Sequence, residues 1–156
     1  THLGHDKMVK DGLRPLGFEE TILKNIKLQV KPEDILIHLG DVCFYKEEYW
    51  HERLMNSCPG KKWLLRGNHD KKSLGWYFSH GWDVVADDIR LNIFGKLVVF
   101  SHIPIQEYLN FDLNIHGHFH NTNHHPEYDI TNKHKLIYLE HNYNPIDLRK
   151  IVEVKG

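Results

Sequence analysis

Cysteine is nearly missing from this chain. Cys43 and Cys58 are the only two, they form no CxxC pair, and two thiols build no disulfide framework. Any metal the chain holds must therefore be held by His, Asp, Asn or Glu. That donor set points away from structural zinc and toward Mn, Fe, Ni, Co or catalytic Zn. No apolar run approaches the ~20 residues of a membrane span, and the polar start THLGHDK does not read as a signal peptide. A reducing cytoplasm is the expected setting. A dominant charge sign is missing too: 20 basic against 21 acidic residues leave −1, with no general pull toward nucleic acid or an anionic membrane. Repeats and low-complexity tracts are absent. A length of 156 residues with 40% hydrophobic content describes one domain with a packed core.

What the chain has in excess is histidine, 14 residues in all, five of them within 115–125, IHGHFHNTNHH. Such a tract fits a solvated tag-like segment, a zinc-finger fragment or one corner of a larger metal site. Neutral imidazole is the commonest metal ligand and also an ordinary surface or core group. The positions of the other metal-capable residues decide among these.

Apolar spacing predicts a helix over 19–30, with Ile22, Ile26 and Val30 on one face, then a strand over 35–39 breaking at Gly40-Asp41. A helix over 46–58 is stopped by Pro59-Gly60, a strand over 62–66 is broken by GNHD, and a helix is expected over 71–80. Residues 82–102 read as consecutive strands with a hairpin near Gly95, and 104–110 as a short helix opened by Pro104. Strands follow at 113–116 and 135–141, then a closing helix or extension over 145–154. Alternating strand and helix implies parallel pairing early, and consecutive strands imply an antiparallel portion later, so the sheet system is mixed.

Four of these strands end in a turn bearing a potential ligand. They are HLGD with Asp41, LRGNHD with Asn68 and His69, VFSH with His102, and HGHFH with His118 and His120. Strand ends of layered α/β folds converge on one edge, where ligands bind. Residues two apart in extended chain point the same way, so His118 and His120 could serve neighbouring ions. Taken singly, each motif is more often a turn than a ligand: Gly-Asp is an ordinary turn and Asn-His-Asp a natural Asx-turn. Four in order, each at a strand terminus, are much harder to obtain by accident. No GxGxxG, GxxxxGK[ST] or GxSxG occurs, and His51-Glu52 lacks the second histidine of HExxH.

The order H…GD…GNHD…SH…GHxH resembles the calcineurin-like metallophosphoesterase superfamily over nearly the whole chain. The short length without a cap insertion is similar to its small, phosphodiesterase-like members. The resemblance implies an α/β fold in which two mixed β-sheets pack as a sandwich flanked by helices, four layers in the order α, β, β, α. It also implies a dinuclear centre of two divalent metal ions, manganese first, with Fe, Ni, Co or Zn as alternatives. THLGH resembles the second half of the superfamily's first motif, Asp-x-His, with His2 as its histidine. The matching Asp would precede Thr1, so the domain over 1–156 is expected to continue upstream into an apolar strand ending in that Asp.

By the same resemblance one ion takes the upstream Asp, His2, Asp41 and His120. The other takes Asp41, Asn68, His102 and His118, with Asp41 bridging. His69 becomes the catalytic non-ligand, contacting the phosphoryl oxygen or protonating the leaving alkoxide, and Asp70 orients its ring. The implied reaction is hydrolysis of a phosphate ester, a diester before a monoester, by a metal-bridging hydroxide; nucleotide or nucleic acid substrates are included. Protein phosphatase or dinucleoside polyphosphatase activity on this scaffold, or a non-catalytic interaction module, are the alternatives. Of the other histidines, His5 is placed to line the site, His38 and His116 belong in the core, and His124 and His125 in a solvated loop. Arg66 reads either as a bidentate phosphate contact or as a surface residue.

Overall fold

Side chains alternate across short strands, and that alternation sets the layers. β1 (Ile35–His38) pairs in parallel with β2 (Lys61–Leu65), and β2 in parallel with β3 (Val84–Ala86). On one face Leu36, Leu64 and Val85 pack toward the helices; on the other Ile37, Leu65 and Ala86 pack toward a second sheet. The computed structural model from which this is read describes residues 1–106, 109–120 and 127–152.

The helical layer is α2 (Phe18–Gln29) and α3 (Glu47–Ser57), which bury Phe18, Ile22, Leu23, Ile26 and Leu54 against the first sheet. Burial of each such side chain stabilises by roughly 1.5–3 kcal/mol. The second sheet runs β4 (Asp88–Ile93), β5 (Lys96–Ser101), β6 (Leu113–His116) and β7 (His134–Leu136), antiparallel at its first pair and parallel after it. Val98, Phe100 and Ile115 meet Ile37 and Leu65 between the sheets. The β4–β5 hairpin closes on Phe94 and Gly95, both at positive φ (51° and 74°), the geometry a two-residue loop between twisted strands requires. The two-sheet sandwich with helices is as the sequence implies, except that the first sheet is wholly parallel and only the second is mixed; among the described residues the α-helices pack on the side of the first sheet.

Local differences have identifiable causes. The helix expected over 71–80 starts only at Leu74 as α4 (Leu74–Ser79), because the Ser73 side chain accepts from Trp76 N and caps it there. The strand expected over 135–141 stops at Leu136, since the N–H of Asn142 and of Tyr143 turns back to Leu139 O. The closing segment forms a 3-10 turn at Leu148–Lys150. A short α1 (Asp6–Lys10) was not expected; the His5 side chain caps it through Met8 N. Residues 107 and 108 of the proposed 104–110 helix, and His124 and His125, lie outside the described residues.

A cavity of about 850 Å³ opens between α2, β1 and residues 137–151. Ile22, Ile26, Leu36, Ile137 and Leu139 wall it, and one end reaches Asp41 and His102. Among the described residues β1 lies at the edge of its sheet and pairs with β2. Among the described residues no helix is long and apolar enough to cross a membrane.

Candidate metal centre

β1 delivers Gly40 and Asp41 to the edge where β2, β5 and β6 also end. The Asp41 side chain is buried, and its Oδ2 lies 3.3 Å from both His2 Nε2 and His102 Nε2. Its Oδ1 accepts from the backbone N–H of His69 at 2.9 Å. Residues 1–3 run beside 41–44, with His2 N donating to Asp41 O at 2.8 Å and Leu3 bridging Cys43, and that pairing places His2. Two glycines make the crowding feasible. A Cβ on Gly40 would stand 2.5 Å from His102 Nδ1, and one on Gly67 would overlap Asp41 Oδ1.

His102, at the end of β5, donates from Nδ1 to Leu39 O at 2.6 Å. A carbonyl can only accept, so in the neutral ring Nε2 carries a lone pair. Around that nitrogen stand Asp41 Oδ2 at 3.3 Å, Asn68 Oδ1 at 3.1 Å and His118 Nδ1 at 3.0 Å. The two oxygens, and in one tautomer the His118 nitrogen, turn lone pairs toward it, an arrangement that positive charge among them stabilises. The donor set therefore fits a divalent cation: one shared carboxylate, one amide oxygen and two imidazoles. Asp41 also draws positive charge to this point, as a cation or as a proton on His102. Burial would push the His102 imidazolium down, but the hydrogen bond and charge of Asp41 outweigh it and raise its pKa. Burial opposes ionisation of Asp41 as well; His102, His2 and the His69 N–H reverse this and hold the carboxyl far below the usual carboxylate range.

The second cluster lies across Asp41. Ring nitrogens of His2 and His69 and a carboxylate oxygen of Asp41 fall within 4.8 Å of one another. The ring of His120 sits 4.7 Å from that of His2, centroid to centroid. Burial lowers the His2 pKa to about 3 against the pull of Asp41, so the ring is neutral and able to donate its lone pair. His120 Nδ1 lies 2.9 Å from Glu140 Oε1, and buried Arg14 grips the same oxygen from Nε at 3.1 Å and Nη2 at 2.6 Å. Burial alone would push the Glu140 carboxyl up; His120 and Arg14 instead hold it at about 2.

Four of these residues are held in left-handed backbone: His2 at φ 54°, Asp41 at 52°, His118 at 72° and His120 at 50°. Each costs on the order of 1–3 kcal/mol, and such strain concentrates where function over-determines the backbone.

The structure thus brings together His2, Asp41, Asn68, His69, His102, His118 and His120. Asn68 and His69 are exposed at the rim. Asp70 is elsewhere than the sequence suggests: it is buried beneath Asp41, and its oxygens accept backbone N–H groups, not the His69 ring. His5 packs on Phe44, 5.8 Å from the His2 ring, while capping α1. His38 and His116 are buried, His38 accepting from Gly40 N at 3.1 Å. Arg66 pairs with Asp87 at 2.7 Å. Arg14 and Glu140 escaped the sequence reading because they are 126 residues apart and neither belongs to a recurring short motif.

Residues 17–151 match the family model for the calcineurin-like phosphoesterases, and the chain belongs to that family. Membership implies metal-dependent hydrolysis of phosphoesters. The matched span runs through every site residue from Asp41 to His120 and leaves His2 outside it. Among solved structures the chain is similar to a protein of unknown function from Aquifex aeolicus. The two are 29% identical with a TM-score of 0.73, over 96% of this chain and 92% of that one. No curated protein matches the chain.

Proposed function

We propose that this protein hydrolyses phosphodiesters at a dinuclear metal centre joined by Asp41. One observation carries the reading: Asp41 Oδ2 is equidistant, at 3.3 Å, from His2 Nε2 and His102 Nε2, with a cluster of nitrogen and oxygen donors on either side. In this reading His2, Asp41 and His120 hold one cation, and Asp41, Asn68, His102 and His118 the other. Two bound divalent cations, manganese first and Fe, Ni, Co or Zn after it, ionise water near neutral pH and stabilise charge on a phosphoryl group.

The chain's own residues supply the rest. His69 is exposed at the His2–Asp41 cluster, and we assign it to the substrate, where its ring contacts the phosphoryl oxygen or protonates the leaving oxygen. Asp70 acts on the scaffold by fixing the backbone of Asp41. The open rim at Asn68 and His69 leaves space for the second substituent of a diester, a nucleotide or nucleic acid among the candidates.

The free, buried thiols of Cys43 and Cys58 fit a reducing cytoplasm.

The test is hydrolysis of bis-p-nitrophenyl phosphate beside p-nitrophenyl phosphate by the full-length protein, with and without Mn²⁺, and with Asp41→Asn as control. Metal-dependent turnover that favours the diester and disappears in the control is expected. Preference for the monoester would reassign the substrate class. Absence of turnover with Mn, Fe, Ni, Co and Zn would overturn the assignment.

A further inference from the structure

We propose that Glu140 is the positioning carboxylate for the His120 side of this centre, and that Arg14 clamps it in place. The inference rests on the metal-centre reading above.

Glu140 Oε1 lies 2.9 Å from His120 Nδ1. A carboxylate oxygen accepts, so Nδ1 carries the proton and Nε2 presents its lone pair. A carboxylate behind a ligating imidazole fixes the tautomer, orients the ring and strengthens it as a ligand. Arg14 holds the same oxygen through Nε and Nη2, and its Nη1 donates to the backbone carbonyl of Thr1, the residue before His2. One guanidinium therefore braces two histidines: His2 through the preceding peptide and His120 through Glu140. Their rings are 4.7 Å apart.

A purely structural ion pair would not be built this way. The Arg14 and Glu140 side chains are only 2% and 11% exposed. For a pair this dry, the loss of hydration offsets most of the attraction. Moreover, His120 and Arg14 all converge on Oε1, and the buried Oε2 has no hydrogen-bond partner among the described residues. A carboxylate left half-satisfied in the wall of the cavity stabilises the fold poorly, but it directs its charge onto His120. Glu140 touches none of the reacting atoms, so its effect reaches the metal through the imidazole.

The test is calorimetric titration of Mn²⁺ into metal-free wild type, Glu140→Gln and Glu140→Ala, each checked for folding by circular dichroism and melting temperature. Wild type is expected to take up two equivalents. Both variants should bind one equivalent as wild type does and the other about 10- to 100-fold more weakly, with Glu140→Gln the milder. If Glu140→Ala does not fold, Glu140→Gln decides, since it keeps an oxygen toward His120 and drops only the charge. Equal weakening of both equivalents would make the Arg14–Glu140 pair a general structural clasp and overturn the proposal, as would unchanged affinity at both. Fewer than two equivalents in wild type would overturn the dinuclear reading itself, a result distinct from either.

Discussion

Asp70 lies beneath Asp41 and holds it by the backbone. Asp70 Oδ2 accepts the N–H of Asp41 at 2.7 Å and of Gly67 at 2.8 Å, and Oδ1 accepts the N–H of Val42 at 3.1 Å. One buried carboxylate thus ties the turn after β1 to the turn after β2. The Gly-Asp and Gly-Asn-His-Asp motifs, separate in the chain, act as a single rigid unit.

Asp70→Asn keeps the shape but turns an amide N–H₂ toward backbone donors. Hydrogen bonds to a charged acceptor contribute about 1.5–3 kcal/mol each, and an unmet buried donor adds its own penalty. A loss of about 3 kcal/mol in urea unfolding is expected, with weaker metal binding. If stability were unchanged and only turnover fell, Asp70 would be acting on His69 after all.

Gly67→Ala tests the close approach from the other side. Its Cβ would overlap Asp41 Oδ1 and stand 2.6 Å from Asp41 N, so the carboxylate must move. The variant should fold and bind Mn²⁺ at least ~10-fold more weakly, because a misplaced ligand costs no less than a misplaced supporting residue. Wild-type affinity would show that the Asp41 position tolerates this shift.

His69→Ala separates ligand from catalyst. Its ring nitrogen lies within 4.8 Å of donors on His2 and Asp41, close enough to be counted with either role. We expect turnover to fall by ~10²–10⁴ while metal content, measured by plasma mass spectrometry, stays at the wild-type value. Loss of an equivalent of metal would make His69 a ligand.

His51 gives a pH prediction remote from the candidate metal centre. It is buried in α3 and accepts from Trp82 Nε1 at 2.9 Å, and burial lowers its pKa from 6.5 to about 4. Above pH 6.5 the ring is neutral folded or unfolded, and the full stability is present. As pH falls from 6.5 to 4 the unfolded chain takes up a proton that the folded one refuses, and ~3 kcal/mol is lost. His51→Asn keeps an acceptor for Trp82, so its unfolding free energy should fall less steeply than wild type across that window. Parallel curves would refute the assignment.

Much of this centre was legible because strand termini bearing polar residues occur in a fixed order. Asp41, Asn68, His102, His118 and His120 needed only local pattern and the rule that strand ends share an edge. The helices α2 and α3 were legible from their 3.6-residue spacing. The role of Asp70 was not, because its partners are backbone N–H groups brought near by β1–β2 pairing, and no side-chain motif encodes them. Arg14 and Glu140 were hidden for a related reason: a long-range buried pair leaves no spacing to read. The shortness of α4 and β7 turned on a few local hydrogen bonds, one at Ser73 and two at Leu139, which outweigh weak periodicity.

The most direct measurement is a crystal structure of the protein soaked in Mn²⁺, with anomalous differences recorded at the manganese edge. Two peaks flanking Asp41 are predicted, one against His2 and His120 and one against Asn68, His102 and His118. A single peak, or peaks away from Asp41, would contradict the dinuclear account.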